Sequence, residues 1–424
     1  MDNITHSLVG LLVAEACWVR LQPKASGEST PTPVQGSSET QGGKRIRALL
    51  CGTSLVANNF PDLDFLYTNI TYGKIGYLLH HRGHTHTFPL ALVQGLVVLG
   101  LGLLLARWLK LALTASQRFC LGGLAILGPF LHICMDFLNN YGVHPFWPMS
   151  NQWVYGDTLF IIEPYLILTL CSFLVWSMHT RVARGLLFAI ILLIVAACWA
   201  FPYVNFLSAQ LVTALALIML WLSYAWSRTF RVIAAGGLSV LIILVFSVGS
   251  RSARALTDTV LRDTLKMEVE DVVATPHPAN PLCYDVLGVG TAGADYVLTY
   301  ASVSVLPAWV SPRSCRALRT ESSLPMEPVD VQTEATLLRA IWRTPLARLR
   351  ERFSSNCISR DFLRFARAPF LLESNSAWAV GDLRYDMEKG SGFAEIPLPQ
   401  GVKDCPKFVP PWVPPRGKLL LTPE

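Results

Sequence analysis

Four of the nine histidines of this 424-residue chain fall inside eight positions, His80, His81, His84 and His86 in H-H-R-G-H-T-H-T. Gly83 lets the backbone turn between them, so the rings of His81 and His86 can converge on one point. Neutral imidazole is the commonest metal ligand, and a pair of them suits Zn, Mn or Fe better than Ca or Mg. Arg82 between them is a fixed cation suited to a phosphate or a carboxylate. A solvated polar loop is the plain alternative. Other polar residues of an apolar chain gather where they could reach this stretch, and they favour the metal reading.

His132 and Asp136 stand at i and i+4 inside an apolar run, on one face of a helix, a usual way for one helix to supply two ligands. The competing explanation is a structural His–Asp hydrogen bond. Asp62 and Asp64 follow Pro61 at a helix end, where turn residues are common; beside the other clusters they read as ligands or as a bridging carboxylate. His6 opens the first apolar helix and is either interfacial or a ligand. Glu163 lies a turn or more into apolar sequence and needs a partner, which ranks it above Asp157 as a site member. His80, His84 and His144 read as neighbours of the site or as surface groups, and His179 and His277 receive no role.

The elements that must position these groups are membrane helices. The chain is 52% hydrophobic and 15% charged, with mean hydropathy +0.41, where soluble domains carry about 25% charged residues. The apolar excess lies before residue 250. Runs at 5–19, 47–60, 89–109, 119–138, 159–178, 185–202, 206–226 and 232–248 suggest about eight membrane helices, the first two shorter than the roughly 20 residues a span needs. Residues 23–44, rich in Ser, Thr, Gly, Gln and Pro, read as a disordered loop, and 67–87 as a polar segment. The start M-D-N-I-T-H-S has neither the basic region nor the cleavage site of a signal peptide and is expected to stay.

Arg and Lys concentrate in alternate connections: 20–47, 107–118, 181–184 and 228–231. The positive-inside rule puts those in the cytoplasm, and the His cluster, the 139–158 connection and the N-terminus on the opposite face. No Lys/Arg block with interleaved aromatics supports nucleic-acid binding.

The expected architecture is therefore an all-α polytopic membrane bundle, 1–250, followed by a soluble, mostly β (α+β) extracytoplasmic domain, 251–424. In the second part, 295–300 and 374–384 alternate like strands and 334–352 reads as a helix. Cys283, Cys315, Cys357 and Cys405 could form two disulfides in an oxidising compartment, with three pairings open. The other six cysteines read as packing residues.

I-T-H-S around His6, P-D-L-D at 61–64, H-R-G-H-T-H-T at 81–87, H-I-C-M-D-F-L-N-N-Y-G at 132–142 and W-V-Y-G-D-T-L-F-I-I-E-P together resemble the YdjM-like family of membrane-bound, metal-dependent hydrolases, in the family order. N-P-L-C-Y at 280–284, F-L-R-F at 362–365 and G-D-L-R-Y at 381–385 extend the resemblance over most of the chain. It implies a metal set of His6, Asp62, Asp64, His81, His86, His132, Asp136 and Glu163. His84 falls at a variable family position, Thr87 replaces Ser, and Glu163 stands where Asp is common. More distantly, the order of motifs is similar to zinc-dependent phospholipase C and P1 nuclease, three-zinc phosphoesterases, with His144 a candidate for their additional histidine.

The expected function is a metal-dependent hydrolase in the bacterial cytoplasmic membrane, its site at the outer face. One to three divalent ions, zinc first, would activate water and polarise the scissile group. Asp64 and Asp136 would bridge metals or orient the nucleophile, and Arg82 would stabilise negative charge, which suits a phosphoester. The interfacial position points to membrane lipid as surroundings and to a lipid or lipid-linked phosphoester as substrate. The alternative is a non-enzymatic membrane protein with a structural metal and a partner-binding outer domain. A metal or proton transporter ranks last, because the later helices carry no titratable path.

Overall fold

The computed structural model describes residues 1–22, 40–316, 326–374, 377–385, 392–398 and 405–421. The stretch 23–39 of the expected disordered loop lies outside them, whereas Gln41 to Lys44 already belong to a helix.

Eight helices run the length of the membrane half: α1 (Asn3–Leu21), α2 (Gln41–Asn59), α4 (Phe88–Trp108), α5 (Ala115–Phe137), α6 (Pro164–Leu174), α7 (Arg181–Ala200), α8 (Phe206–Ala225) and α9 (Arg228–Leu265), with α3 (Phe65–His80) between α2 and α4. Among the described residues, six are long and apolar enough to cross a membrane, namely α1, α4, α5, α7, α8 and α9. The two others differ. α2 lies against α1, α5 and α4, and its buried face carries Arg47, Thr53, Ser54 and Asn58. Its polar first turns, with Gln41, Lys44 and Arg45, keep it less apolar than a span. α6 is short and buried at every position from Leu166 to Leu174, packed by α7, α8, α9 and α1.

The ends are set by capping. Asp2, Thr40, Thr87, Thr114, Thr180, Asn205 and Ser227 each accept a backbone N–H of the first turn of their helix, which satisfies donors that a bilayer cannot. Chain direction then sorts the polar groups. At one end lie the start of α1, the end of α2, the 80–87 stretch, the end of α5 and the 139–163 connection. At the other, Arg47 pairs with the buried Glu15, Nε to Oε1 2.9 Å, and donates to Ser177 O at 2.5 Å. Arg228 reaches Glu15 Oε2 at 3.3 Å from the α8–α9 connection.

Two expectations change. The 67–87 segment is mostly helical: α3 runs to His80 with a break at Tyr72–Gly73, where Gly73 has φ +56°. The span expected to stop at 248 continues as α9 to Leu265, so the boundary at 250 falls inside one helix whose last turns pack on the outer sheet.

That sheet is antiparallel, ordered β1-β2-β3-β5-β4, from β1 (Glu268–His277), β2 (Asn280–Ala292), β3 (Asp295–Ser304), β4 (Glu327–Gln332) and β5 (Thr336–Pro345). β6 (Pro369–Ser374), β7 (Ala377–Asp382) and β8 (Ile396–Leu398) form a second antiparallel sheet. The helix expected over 334–352 is instead strand β5 followed by α10 (Leu346–Ser355). In its Leu-Leu-Arg-Ala-Ile-Trp run Leu337, Leu338, Ala340 and Ile341 are all buried, and pairing with β3 along a strand buried on both faces overrides local helix propensity. Disulfides join Cys283 to Cys315 and Cys357 to Cys405.

The outer domain is fastened to the helical half. Arg367 donates to Asp157 Oδ1 and Oδ2 at 2.7 and 2.9 Å and to Asp271 Oδ2 at 2.7 Å. Burial opposes charge on Asp271, but Arg367 outweighs it and holds that carboxyl below the usual range. Trp412 Nε1 donates to Leu79 O at 2.8 Å, and Trp153 Nε1 to Arg364 O at 2.6 Å. Asp157, with φ +51°, is thus a fastening residue in the Y-G-D-T motif.

Candidate metal centre

α5 is driven into the bundle by its apolar face, and this carries His132 and Asp136 to its inner end with no exposure. The end of α2 delivers Asp62 and Asp64 on a 3-10 turn begun by Pro61. The chain then returns through α3 to a second 3-10 turn holding His86. Gly83 is required at its entrance: a Cβ there would meet His80 O at 2.8 Å and the Trp412 ring at 3.2 Å. Arg82 adopts φ +56°, a costly conformation for any residue with a Cβ, and its N–H thereby reaches Asp64 Oδ2 at 3.0 Å.

Four atoms converge. His86 Nε2 lies 3.1 Å from His132 Nε2, 3.3 Å from Asp62 Oδ1 and 3.2 Å from Asp136 Oδ2. His132 Nε2 lies 3.4 Å from Asp62 Oδ1 and 3.3 Å from Asp136 Oδ2. A tetrahedral ion with ligands at about 2.0–2.1 Å needs ligand-to-ligand edges of about 3.3–3.4 Å.

The remaining ring nitrogens fix the chemistry. His132 Nδ1 donates to Asn58 O at 2.6 Å, which leaves Nε2 of the neutral ring a bare lone pair. Thr85 Oγ1 donates to Asp64 Oδ2 at 3.3 Å, so it accepts from His86 Nδ1 at 3.0 Å, and His86 Nε2 is likewise bare. Two lone pairs and two carboxylate oxygens therefore face one another without a proton between them, and Asp136 Oδ2 is buried with no hydrogen bond. A cation placed among these acceptors would satisfy all four at once. Imidazoles held through their far nitrogen by a carbonyl or a hydroxyl are how proteins orient metal ligands. Asp62, His86, His132 and Asp136 could hold a metal ion.

Asp62 belongs also to a second group, with Asp64 and His81. His81 Nδ1 lies 3.1 Å from Asp64 Oδ1. His86, His132 and Asp136 have no exposure, whereas the Asp62 and His81 side chains keep 15% and 16%. Burial pushes the Asp62 carboxyl up, but hydrogen bonds to His132 and His86 outweigh it and hold it well below the usual carboxylate range.

The other residues named from sequence hold the ligands. His6 Nε2 is 3.2 Å from Asp136 Oδ1, the oxygen facing away from the convergence point, and its ring stacks on His132 at 3.7 Å. Arg82 Nη2 lies 2.9 Å from the same oxygen, which the Met1 amine also contacts, and Nη1 donates to Asn139 Oδ1 at 2.9 Å. Glu163 stands elsewhere: it caps α6 through Tyr165 N at 3.3 Å and meets the Ala279 backbone. Its burial in apolar sequence marked a polar partner correctly, but the partners are backbone donors. His144 stacks between Trp153 and Trp412, centroids 3.8 and 3.7 Å away, and its Nδ1 faces Arg82 O. Asn58, Thr85, Asn139 and Trp412 act here without having been named as site residues from the sequence; Thr85 and Asn139 sat inside recognised motifs.

The family model of YdjM inner membrane proteins matches residues 1–204, the stretch that contains every residue of both groups. The N-terminal half is YdjM-like. An uncharacterized protein of Bacillus subtilis, YfhP, is 24% identical over 177 residues, 42% of this chain. The chain spans 46% of that relative's length. No solved structure matches. The YdjM-like stretch thus contains the candidate metal-binding residues, and the β-rich C-terminal domain lies beyond it.

Proposed function

We propose that this protein is a metal-dependent hydrolase of the bacterial cytoplasmic membrane, acting on a phosphoester at the outer face. The observation that carries the reading is Asp62, shared between a largely buried group of four ligands and an open group that borders a cavity. A bridging carboxylate between two cation positions is the arrangement enzymes use to cleave phosphoesters. Zinc fits the His and Asp donors best; such an ion supplies Lewis acidity, polarising the ester oxygen and making water more acidic.

The chain's own groups do the rest. Asp64, beside the bridging Asp62, is the carboxylate placed to take the proton of the attacking water as the new P–O bond forms and the bond from phosphorus to the leaving oxygen breaks. Arg82 lines the cavity and offsets negative charge there, and it also fixes Asp136. The basic residues at the far end of the bundle support a cytoplasmic assignment for that end, and so an outer one for the site and the C-terminal domain.

Closed burial of His86, His132 and Asp136 favours a second reading, in which the ion staples α2, α5 and the 80–87 turn and no reaction follows. Metal content and phosphomonoester and phosphodiester turnover of the purified protein separate the two. Turnover lost on chelation and restored by metal supports the hydrolase. Bound metal, a lower Tm on chelation and no turnover on either ester class would leave the staple.

A further inference from the structure

A cavity of about 380 Å³ opens beside the centre, between the end of the bundle and the outer domain. Its polar end is formed by His81, Arg82 and Asn139. Asn140, Thr275, Asp285 and Arg384 also line it, but Asn140, Asp285 and Arg384 are already engaged by Thr275, His277, Tyr300 and Asp382. The rest of the wall is aromatic and aliphatic, with Tyr77, Phe160 and Ile161 from the YdjM-like stretch and Tyr385 and Phe393 from the C-terminal domain. Ile161 and Phe393 are 48% and 42% exposed, and Ile162 beside them 45%. Ile161 and Ile162 come just before Pro164, the first residue of α6, at the end of the apolar helices.

A nucleotide or sugar phosphate would press its hydroxyls against walls that offer few partners, and each unpaired group costs affinity. An alkyl chain would lose nothing there. We infer that the substrate is a phosphate ester carrying a long apolar chain. Its phosphate lies toward His81 and Arg82, and its chain lies along Phe160, Ile161 and Phe393 and leaves toward the membrane. The inference rests on the hydrolase reading of the same site and names its substrate class. It also makes Phe393 and Tyr385 specificity residues, so the site is incomplete without the domain that follows the YdjM-like half.

The test uses the full chain in bilayer nanodiscs and a hexadecylphosphonate bearing a diazirine near its chain end, with labelled peptides located by mass spectrometry. The expected label falls on peptides containing Ile161 and Phe393. Unlabelled hexadecylphosphonate competes, and equimolar methylphosphonate does not. Ile161→Gln and Phe393→Gln each weaken capture about tenfold, the worth of one buried apolar side chain, with metal content unchanged. Label confined to the outer faces of the spans, equal competition by methylphosphonate, or unchanged capture in both variants would overturn the inference. Turnover of a short soluble phosphoester, measured in parallel, reports on the hydrolase reading alone, so either can fail without the other.

Discussion

The Nε2 atoms of His86 and His132 lie 3.1 Å apart while the opposite nitrogen of each ring is held by an oxygen, Thr85 Oγ1 for one and Asn58 O for the other. The pair is thus arranged lone pair to lone pair, which is repulsive until a cation lies between. His86→Ala and Asp136→Asn should each abolish stoichiometric metal, read by elemental analysis of protein purified without chelator. A free ion at about 100 times its Kd should stabilise the wild type by about 2.7 kcal/mol and neither variant. Unchanged metal content in both would remove the site.

Thr85 touches no ion in this scheme, yet it sets the tautomer of His86 through its hydroxyl. Thr85→Val keeps the shape and removes the relay. Metal affinity should fall about 10- to 100-fold with all four ligands intact, measured by competition with a chromophoric chelator. Thr85→Ser should restore it.

The Arg367–Asp157 pair is buried and bidentate. Arg367→Met strands the buried Asp157 carboxylate, while Asp271 keeps Arg416, and should cost about 3–5 kcal/mol, whereas Asp157→Asn combined with Arg367→Met should cost less than the single change. Chemical denaturation gives the energies. Hydrogen exchange should show the 139–163 connection opening in the single variant; equal protection would mean that other contacts fasten the domain.

His144 lies between two indole rings, and burial pushes its imidazole down to about 3 from the ordinary 6.5. The folded state holds the ring neutral while the unfolded chain protonates it. Its contribution is therefore complete above pH 6.5 and erodes as pH falls from there toward the folded value. His144→Phe should flatten the fall of Tm between pH 6.5 and about 4 relative to wild type. A parallel fall in the two proteins would show that His144 does not control acid stability.

Much of this molecule was legible in one dimension. Hydropathy alone separates a membrane half from an outer half, because only segments that satisfy their own backbone can be so apolar. His132 and Asp136 share a face because helical periodicity fixes it, and four oxidisable cysteines in a polar β region form two bridges. What only the tertiary structure decided is which groups meet. Glu163 and Asp136 are both acids beside apolar runs, yet one caps a helix and the other faces two imidazoles, since chain packing, not local sequence, sets where a helix end points. α6 looked like a full span and is a short helix buried among its neighbours from Leu166 to Leu174. The helix expected over 334–352 gave way to strand β5 over 336–345, where β3 offered a pairing edge, and held only from Leu346. The cavity joins residues more than two hundred positions apart, Ile161 and Phe393 among them, and no spacing within the chain records such a contact.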